Sequence, residues 1–254
     1  MKILVVQKPI KYGSSVEEQE ETYQVIDNAL SNFDCEFDTI QRKNLTKTDE
    51  YDLVIATGGD GTVLTTSHYT QGTPIWGINS NVPESFGFYC SSDKNNFAEH
   101  LKNYEGLPRT KVQRLVSTLN GNELIPALND IFVSLKRQHG MCDTIVDDGR
   151  YICKNYKCTG LLVATYTGRY ARMKKVKGEV NRNDEELIEF VPIEDDDKKS
   201  RYTESLRVIS NRDNNLISID GCHNFYDFNM GDRLEIELGQ EIEIIGNLER
   251  KFYF

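Results

Sequence analysis

The sequence predicts an α/β domain with an open, mostly parallel sheet over residues 1–110. An all-β antiparallel sandwich comes next over 111–235, and 236–254 returns to the first domain. Three observations carry this. In the first part, short continuous apolar runs alternate with helical patterns, as strands covered on both faces do. From Val112 the texture changes to short alternating segments separated by Asn, Asp and Gly turns, as in an antiparallel sandwich. Between a strand and a helix lies the glycine cluster Gly58-Gly59-Asp60-Gly61, at the strand end where open α/β sheets bind ligands.

Ile3–Val6 reads as a first strand, and the segment from Met1 is too short an apolar run for a signal peptide. Gly13-Ser14-Ser15 leads into a helix over 16–31 with Tyr23, Ile26 and Leu30 on one face. Phe37–Ile40, Leu53–Ala56 and 74–79 read as strands, Val63–Tyr69 and Asp93–Tyr104 as helices. In the second domain the strands are 115–119, 131–135, 143–146, 151–153, 160–164, 206–210 and 216–221, with a final strand after Gly231-Asp232 in the stretch 230–238, and turns at Asn120-Gly121-Asn122 and Asp147-Asp148-Gly149. Arg182–Lys199 is acidic and reads as a surface excursion.

Of 254 residues, 30 are Lys or Arg and 40 are Asp or Glu, a net charge of −10 that argues against general nucleic-acid binding. No run of 18 apolar residues occurs, so no membrane span is expected. Cys35, Cys90, Cys142, Cys153, Cys158 and Cys222 form no C-x-x-C pair, which reads as free thiols in a cytoplasmic protein rather than a zinc site.

Chemistry centres on Asp60. Gly58, Gly59 and Gly61 permit positive φ and close approach of a ligand. Thr62 can cap the helix that comes after it, and the amides at that helix start would face an anion. A carboxylate beside a phosphate-sized hole suits phosphoryl transfer, in which amides hold phosphate while the acid orients a hydroxyl or binds Mg²⁺.

Gly58-Gly59-Asp60-Gly61-Thr62 after an apolar strand resembles the signature of NAD kinases and of the related diacylglycerol and sphingosine kinases. Gly77-Ile78-Asn79 with Phe86-Gly87-Phe88-Tyr89 resembles a second NAD kinase motif, which implies that Phe88 and Tyr89 lie near the adenine. As residues alone they read equally as core aromatics. Ala127-Leu128-Asn129-Asp130 resembles the motif that grips the adenosine end. Asn offers donor and acceptor to a base edge or ribose, and Asp accepts hydroxyl protons.

The stretch 160–172 resembles the family's Asp-Gly-Leu and Thr-Pro-Thr-Gly-Ser-Thr-Ala-Tyr at Gly160, Thr165, Thr167, Gly168 and Ala171. It departs from them at Thr159, Tyr166 and Arg169-Tyr170-Ala171-Arg172. Two readings of this basic loop stand. Arg169, Arg172, Lys174 and Lys175 hold polyphosphate, or the charges are solvated and balanced by Glu185, Glu186 and 195–197. Arg207, Asp220-Gly221 and Gly231-Asp232 also resemble family positions. Asp220 reads as a turn residue and His223 as structural.

The resemblance implies an NAD kinase that phosphorylates the adenosine-ribose 2′-hydroxyl of NAD. Its donor would be ATP or polyphosphate, with Mg²⁺ or another divalent cation. It implies Asp60 as the catalytic group and contacts from Gly58, Gly59, Gly61, Thr62, Asn79, Phe88, Tyr89, Asn129, Asp130, Thr165, Thr167, Gly168, Arg169, Ala171 and Arg172, with no protein metal ligands assigned. It also implies a homo-oligomer, dimer or tetramer. A nucleotide sensor without kinase activity and a lipid-type kinase are the alternatives.

Overall fold

The computed structural model describes all residues except 11–15, 83, 138–139, 150–152, 183–185, 195–198, 222–223 and 254, and only the backbone of 250 and 253. The expectations at 13–15, 151–152, Glu185, 195–197, Cys222 and His223 therefore lie outside the described residues.

The chain divides into two compact units, Met1–Val112 with Ile242–Phe254, and Gln113–Glu241. The first begins with β1 (Lys2–Gln7), α1 (Val16–Ser31), β2 (Glu36–Gln41), β3 (Leu53–Gly58), α2 (Asp60–Ser67) and β4 (Ile75–Asn79). It continues through β5 (Cys90–Asp93), α3 (Phe97–Lys102) and β6 (Arg109–Val112). The second unit opens with β7 (Leu115–Leu119), β8 (Asn122–Glu123), β9 (Asp130–Leu135), β10 (Cys142–Asp147), β11 (Lys154–Cys158), β12 (Gly160–Ala164) and α4 (Arg172–Lys177). It closes with β13 (Ile188–Ile193), β14 (Arg201–Thr203), β15 (Ser205–Ser210), β16 (Asn215–Ile219), β17 (Asn224–Phe228) and β18 (Arg233–Leu238). The chain then returns to the first unit as β19 (Ile242–Ile245).

In the first unit the described strands form one seven-stranded sheet, β2-β1-β3-β4-β19-β6, with β5 on β4. All its pairings are parallel except β6 on β19. The central strands are buried on both faces, which is why β1 and β3 read as continuous apolar runs. Helix α1 lays Tyr23, Ile26 and Leu30 inward, and Ile26 and Leu30 pack with Ile3, Val5, Leu53, Ile55 and Trp76. Helix α2 starts at Asp60, three residues before the predicted start, because Gly59 rather than Thr62 is the N-cap. Asp93 belongs to β5 and not to a helix. Its carboxylate accepts the Asn95 N–H (2.7 Å) and its own N–H donates to the Asn96 side chain (2.9 Å), so the helix begins only at Phe97.

In the second unit two six-stranded antiparallel sheets, β11-β10-β15-β18-β7-β8 and β14-β13-β12-β9-β16-β17, contribute to one apolar core. It includes Leu115, Val133, Leu161, Phe190, Val208, Ile217 and Leu234. The β7–β8 hairpin turns on Asn120 (φ 52°) and Gly121 (φ 83°), the positive-φ pair that a two-residue hairpin requires. The surface excursion predicted over 182–199 is wrong at its centre. Ile188–Ile193 is a buried strand, β13, paired with β12 on one side and β14 on the other. The acidic flanks masked the apolar residues Ile188, Phe190 and Val191.

Trp76 is 0% exposed, with its ring centroid 5.0 Å from Phe97 and 6.0 Å from Tyr104, and its indole N–H donates to Ser92 Oγ (3.1 Å). Trp76→Ala is expected to destabilise by about 3–5 kcal/mol in urea titrations followed by circular dichroism.

Candidate active site

In the first unit, β3 delivers its last residues into a turn that only glycine fits. Gly58 has φ 159°, and a Cβ there would lie 2.4 Å from Thr62 Oγ1. Gly59 has φ 151°. Asp60 is then the first residue of α2. One of its carboxylate oxygens accepts the Phe88 N–H at 2.9 Å and the other the Tyr89 N–H at 2.8 Å. The acid is fixed by backbone rather than by another charge.

Asn79, at the end of β4, builds the same loop from below. Its Nδ2 donates to the Ser85 carbonyl (2.8 Å) and its Oδ1 accepts the Asn81 N–H (3.1 Å). A Cβ on Gly87, where φ is 59°, would come within 2.8 Å of Asn79 Nδ2. Thr62 lies in the first turn of α2. Its hydroxyl is buried and has no hydrogen-bond partner among the described residues. Gly61 passes near Arg42, whose guanidinium would lie 3.5 Å from an added Cβ. Phe88 is half-buried, its centroid 5.7 Å from Phe252. Tyr89 is 1% exposed and stacks edge-on against Phe88, whereas Phe86 is 61% exposed. Asp60, the glycines, Thr62, Asn79, Phe88 and Tyr89 thus share one turn-and-loop system.

In the second unit, three strand ends of one sheet meet. Asn129 and Asp130 stand at the start of β9, Thr165 comes directly after β12, and Asp220 directly after β16. Asp220 adopts φ 48°, a left-handed conformation that Asp tolerates better than most residues. Its carboxylate accepts three consecutive amides, Leu128 (2.7 Å), Asn129 (2.7 Å) and Asp130 (3.0 Å). Asp220 is indeed at a turn, but it also fixes the Asn-Asp pair, which nothing in its local sequence indicated.

Thr165 Oγ1 donates to the Leu128 carbonyl (2.7 Å) and accepts the Gly168 N–H (2.9 Å). Thr167 Oγ1 lies 3.2 Å from it. Gly168 is forced by approach: a Cβ would sit 1.9 Å from the Asn129 carbonyl. Thr165, Thr167 and Gly168 are therefore brought against Asn129.

Burial first, and then the Asp220 charge, push the Asp130 carboxyl up to about 7, with Arg172 partly offsetting both. Arg172 is exposed, with its guanidinium 3.8 Å from the Phe132 ring centroid, and Ala171 leads into α4 beside it.

Arg169 does not join them. It is 0% exposed, its Nε lies 3.3 Å from Glu189 Oε2, and its guanidinium donates to the Leu187 carbonyl (2.7 Å). Glu189, equally buried, also pairs with Lys177 and accepts the Tyr202 hydroxyl (3.0 Å). The polyphosphate reading of Arg169 is thereby corrected. Its partner is Glu189, hidden in the segment expected to be a surface excursion. Lys174 and Lys175 are exposed. Thr159 donates to Glu194. The first unit also holds Lys251, whose ammonium donates to the Gly87 and Cys90 carbonyls. A lone lysine near the chain end carried no sequence signal.

Residues 3–106 match the family described as the ATP-NAD kinase N-terminal domain. An NAD kinase of Clostridium beijerinckii is 31% identical over 193 residues, 72% of this chain and 63% of that protein. A rice protein named "Probable NADH kinase" is 26% identical over 252 residues, 85% of this chain and 77% of that one. The chain spans about half the length of other curated relatives it matches, 48% of an NAD kinase of Methanospirillum hungatei and 50% of one from Chlorobaculum tepidum. Among solved structures, an NAD kinase from Archaeoglobus fulgidus in complex with ATP superposes with a TM-score of 0.77 at 22% identity, covering 100% of this chain and 97% of that one. Yeast NADH kinase complexed with NADH gives 0.80 at 17%, covering 100% and 85%. These two likenesses establish the shared fold.

The second unit makes two substitutions informative. Arg169→Ala removes one of the two cations on the buried Glu189 carboxylate, leaving Lys177 and the Tyr202 hydroxyl, and should cost about 2–4 kcal/mol in urea unfolding, whereas Arg172→Ala at the surface should stay within about 0.5 kcal/mol of wild type. For Asp130, the folded state holds a proton that the unfolded chain has already lost between pH 4 and 7, so stability falls as pH rises through that window. Asp130→Asn should therefore be more stable than wild type at pH 8 by about 1–3 kcal/mol and lose that advantage at pH 4, read by denaturant titration at each pH.

Proposed function

We propose that this chain, a divergent member of the NAD kinase family, transfers the terminal phosphoryl group of ATP to the 2′-hydroxyl of the adenosine ribose of NAD. The observation that carries the reading is Asp60, held at the end of β3 by the Phe88 and Tyr89 amides. Each carboxylate oxygen accepts one amide and keeps lone-pair capacity for a hydroxyl donor. Held this way, Asp60 orients the ribose hydroxyl and takes its proton as the bond to phosphorus forms. In phosphoryl transfer, positioning and electrostatics carry most of the catalysis. The first-turn amides of α2 favour an anion at the same end of the sheet.

The second unit supplies recognition. Asn129 offers amide donor and acceptor to the adenosine end, and Asp130 accepts a hydroxyl proton. Thr165, Thr167 and Gly168 shape the surface on which the nucleotide lies, with Ala171 and Arg172 at its margin. Among the described residues no three His, Cys, Asp or Glu side chains converge on one point. A divalent cation carried by the triphosphate, which Asp60 would help to hold, fits that donor set, since Mg²⁺ is commonly bound by one or two carboxylates plus substrate phosphates. When bound, it neutralises phosphate charge. The reading extends to a cytoplasmic homo-oligomer, its dimeric or tetrameric state measurable by sedimentation.

The test is incubation with NAD, ATP and Mg²⁺, with NADP read by an NADP-specific dehydrogenase, and NAD binding measured in parallel by calorimetry. Wild type should form NADP. Asp60→Asn should lower kcat by at least about 100-fold while NAD still binds. A wild-type chain that binds NAD and forms no NADP would overturn the kinase reading.

A further inference from the structure

The carbonyl side of the loop that holds Asp60 is itself held. Gly87 to Cys90 contributes two amides to Asp60, from Phe88 and Tyr89. It contributes two carbonyls, Gly87 and Cys90, to the ammonium of Lys251, the second at 2.5 Å. The Gly87–Phe88 peptide is therefore bonded at both ends, its oxygen to a cation and its N–H to an anion. Such chains polarise each bond in the same sense.

Lys251 sits in a short 3₁₀ turn, Glu249–Tyr253, which is anchored independently. Leu248 is 0% exposed, its N–H donates to Thr110 Oγ1 (3.3 Å), and Ser91 Oγ donates to the Ile245 carbonyl (2.6 Å). Phe252, the next residue, lies against Phe88, and the Lys251 ammonium stands 5.6 Å from the Phe86 ring centroid. The charged and titratable groups facing Lys251 are the Asp60 carboxylate and the Cys90 thiol. Burial lowers Lys251, which the two partners oppose, and burial keeps the Cys90 thiol protonated.

We propose that Lys251 is a positioning residue for phosphoryl transfer. It clamps the carbonyls of Gly87 and Cys90 so that the intervening amides hold the Asp60 carboxylate in its reactive orientation. The proposal rests on the kinase reading for its effect on turnover, but not for the clamp itself. It assigns the end of the chain a part in the site that the glycine turn alone does not reveal.

The experiment compares full-length wild type, Lys251→Met and Lys251→Arg by two readouts. Hydrogen exchange of the peptide covering 86–90 reports the clamp without activity, and steady-state NADP formation reports its consequence. Lys251→Met should speed exchange of the Phe88 and Tyr89 amides at least about tenfold. It should also lower kcat at least about tenfold, with KM for ATP within about twofold of wild type. Lys251→Arg, which keeps the cation, should restore both. Wild type should show an alkaline decline in kcat that Lys251→Arg moves to higher pH. If Lys251→Met fails to fold, Lys251→Gln gives the same readouts. Unchanged exchange overturns the clamp, and faster exchange with unchanged kcat overturns the positioning role. No NADP from wild type with exchange behaving as stated defeats the kinase reading alone.

Discussion

The structure depends on a carboxylate accepting consecutive backbone amides. Asp60 takes two, from Phe88 and Tyr89, and in doing so joins the end of β3 to the segment leading into β5. Neutral partners suit this role. A hydrogen bond to a carboxylate is stronger than one between neutral groups, yet an amide leaves the charge in place for chemistry. A lysine paired directly to Asp60 would neutralise it. Lys251 instead acts one peptide away, on the carbonyls of the same loop. The loop is gripped from both sides while the acid keeps its remaining lone pairs.

The second unit uses the same device in a different sheet. Asp220 takes three amides in a row, from Leu128, Asn129 and Asp130, and so fixes the start of β9 against the end of β16. The consequence differs because the neighbour differs. Asp60 is held by a loop that carries half-buried Phe88 and buried Tyr89, whereas Asp220 sits beside buried Asp130 and raises its proton affinity. In the first unit the device fixes a carboxylate at the end of β3 with lone pairs to spare. In the second it leaves a neighbouring acid poised between its two forms near neutral pH.

How much of this was legible before the structure depends on the scale of the signal. The apolar runs at Ile3–Val6 and Leu53–Ala56, the helix over 16–31 and the Asn120-Gly121 turn carried local chemistry strong enough to place them. The glycine turn at 58–61 and Gly168 after β12 were legible because a Cβ at Gly58 would meet Thr62 and one at Gly168 the Asn129 backbone, so those places select glycine. Strand β13 was not, because acidic flanks hid a buried strand of six residues. Neither the three amides on Asp220 nor the carbonyls on Lys251 could be read. Both depend on pairings across 90 and more residues that only the sheet order creates.

The basic loop after β12 is held by two kinds of anchor. Thr165 and Gly168 seat the turn on Asn129, by a hydroxyl and by the absence of a Cβ. Beyond that turn, an ion pair secures the chain from behind. Arg169 reaches inward to Glu189, and Lys177 at the end of α4 and Tyr202 on β14 converge on the same carboxylate. An isolated buried arginine would be costly. Here two cations share one anion, backbone carbonyls take further donors, and the Tyr166 and Tyr202 rings flank the guanidinium. Two arginines three residues apart thus have opposite duties. Arg169 ties the loop to the sheet, and Arg172, left at the surface, keeps its charge beside Asp130. Counting positive charges in such a loop says little about phosphate, because burial decides which of them still faces a ligand.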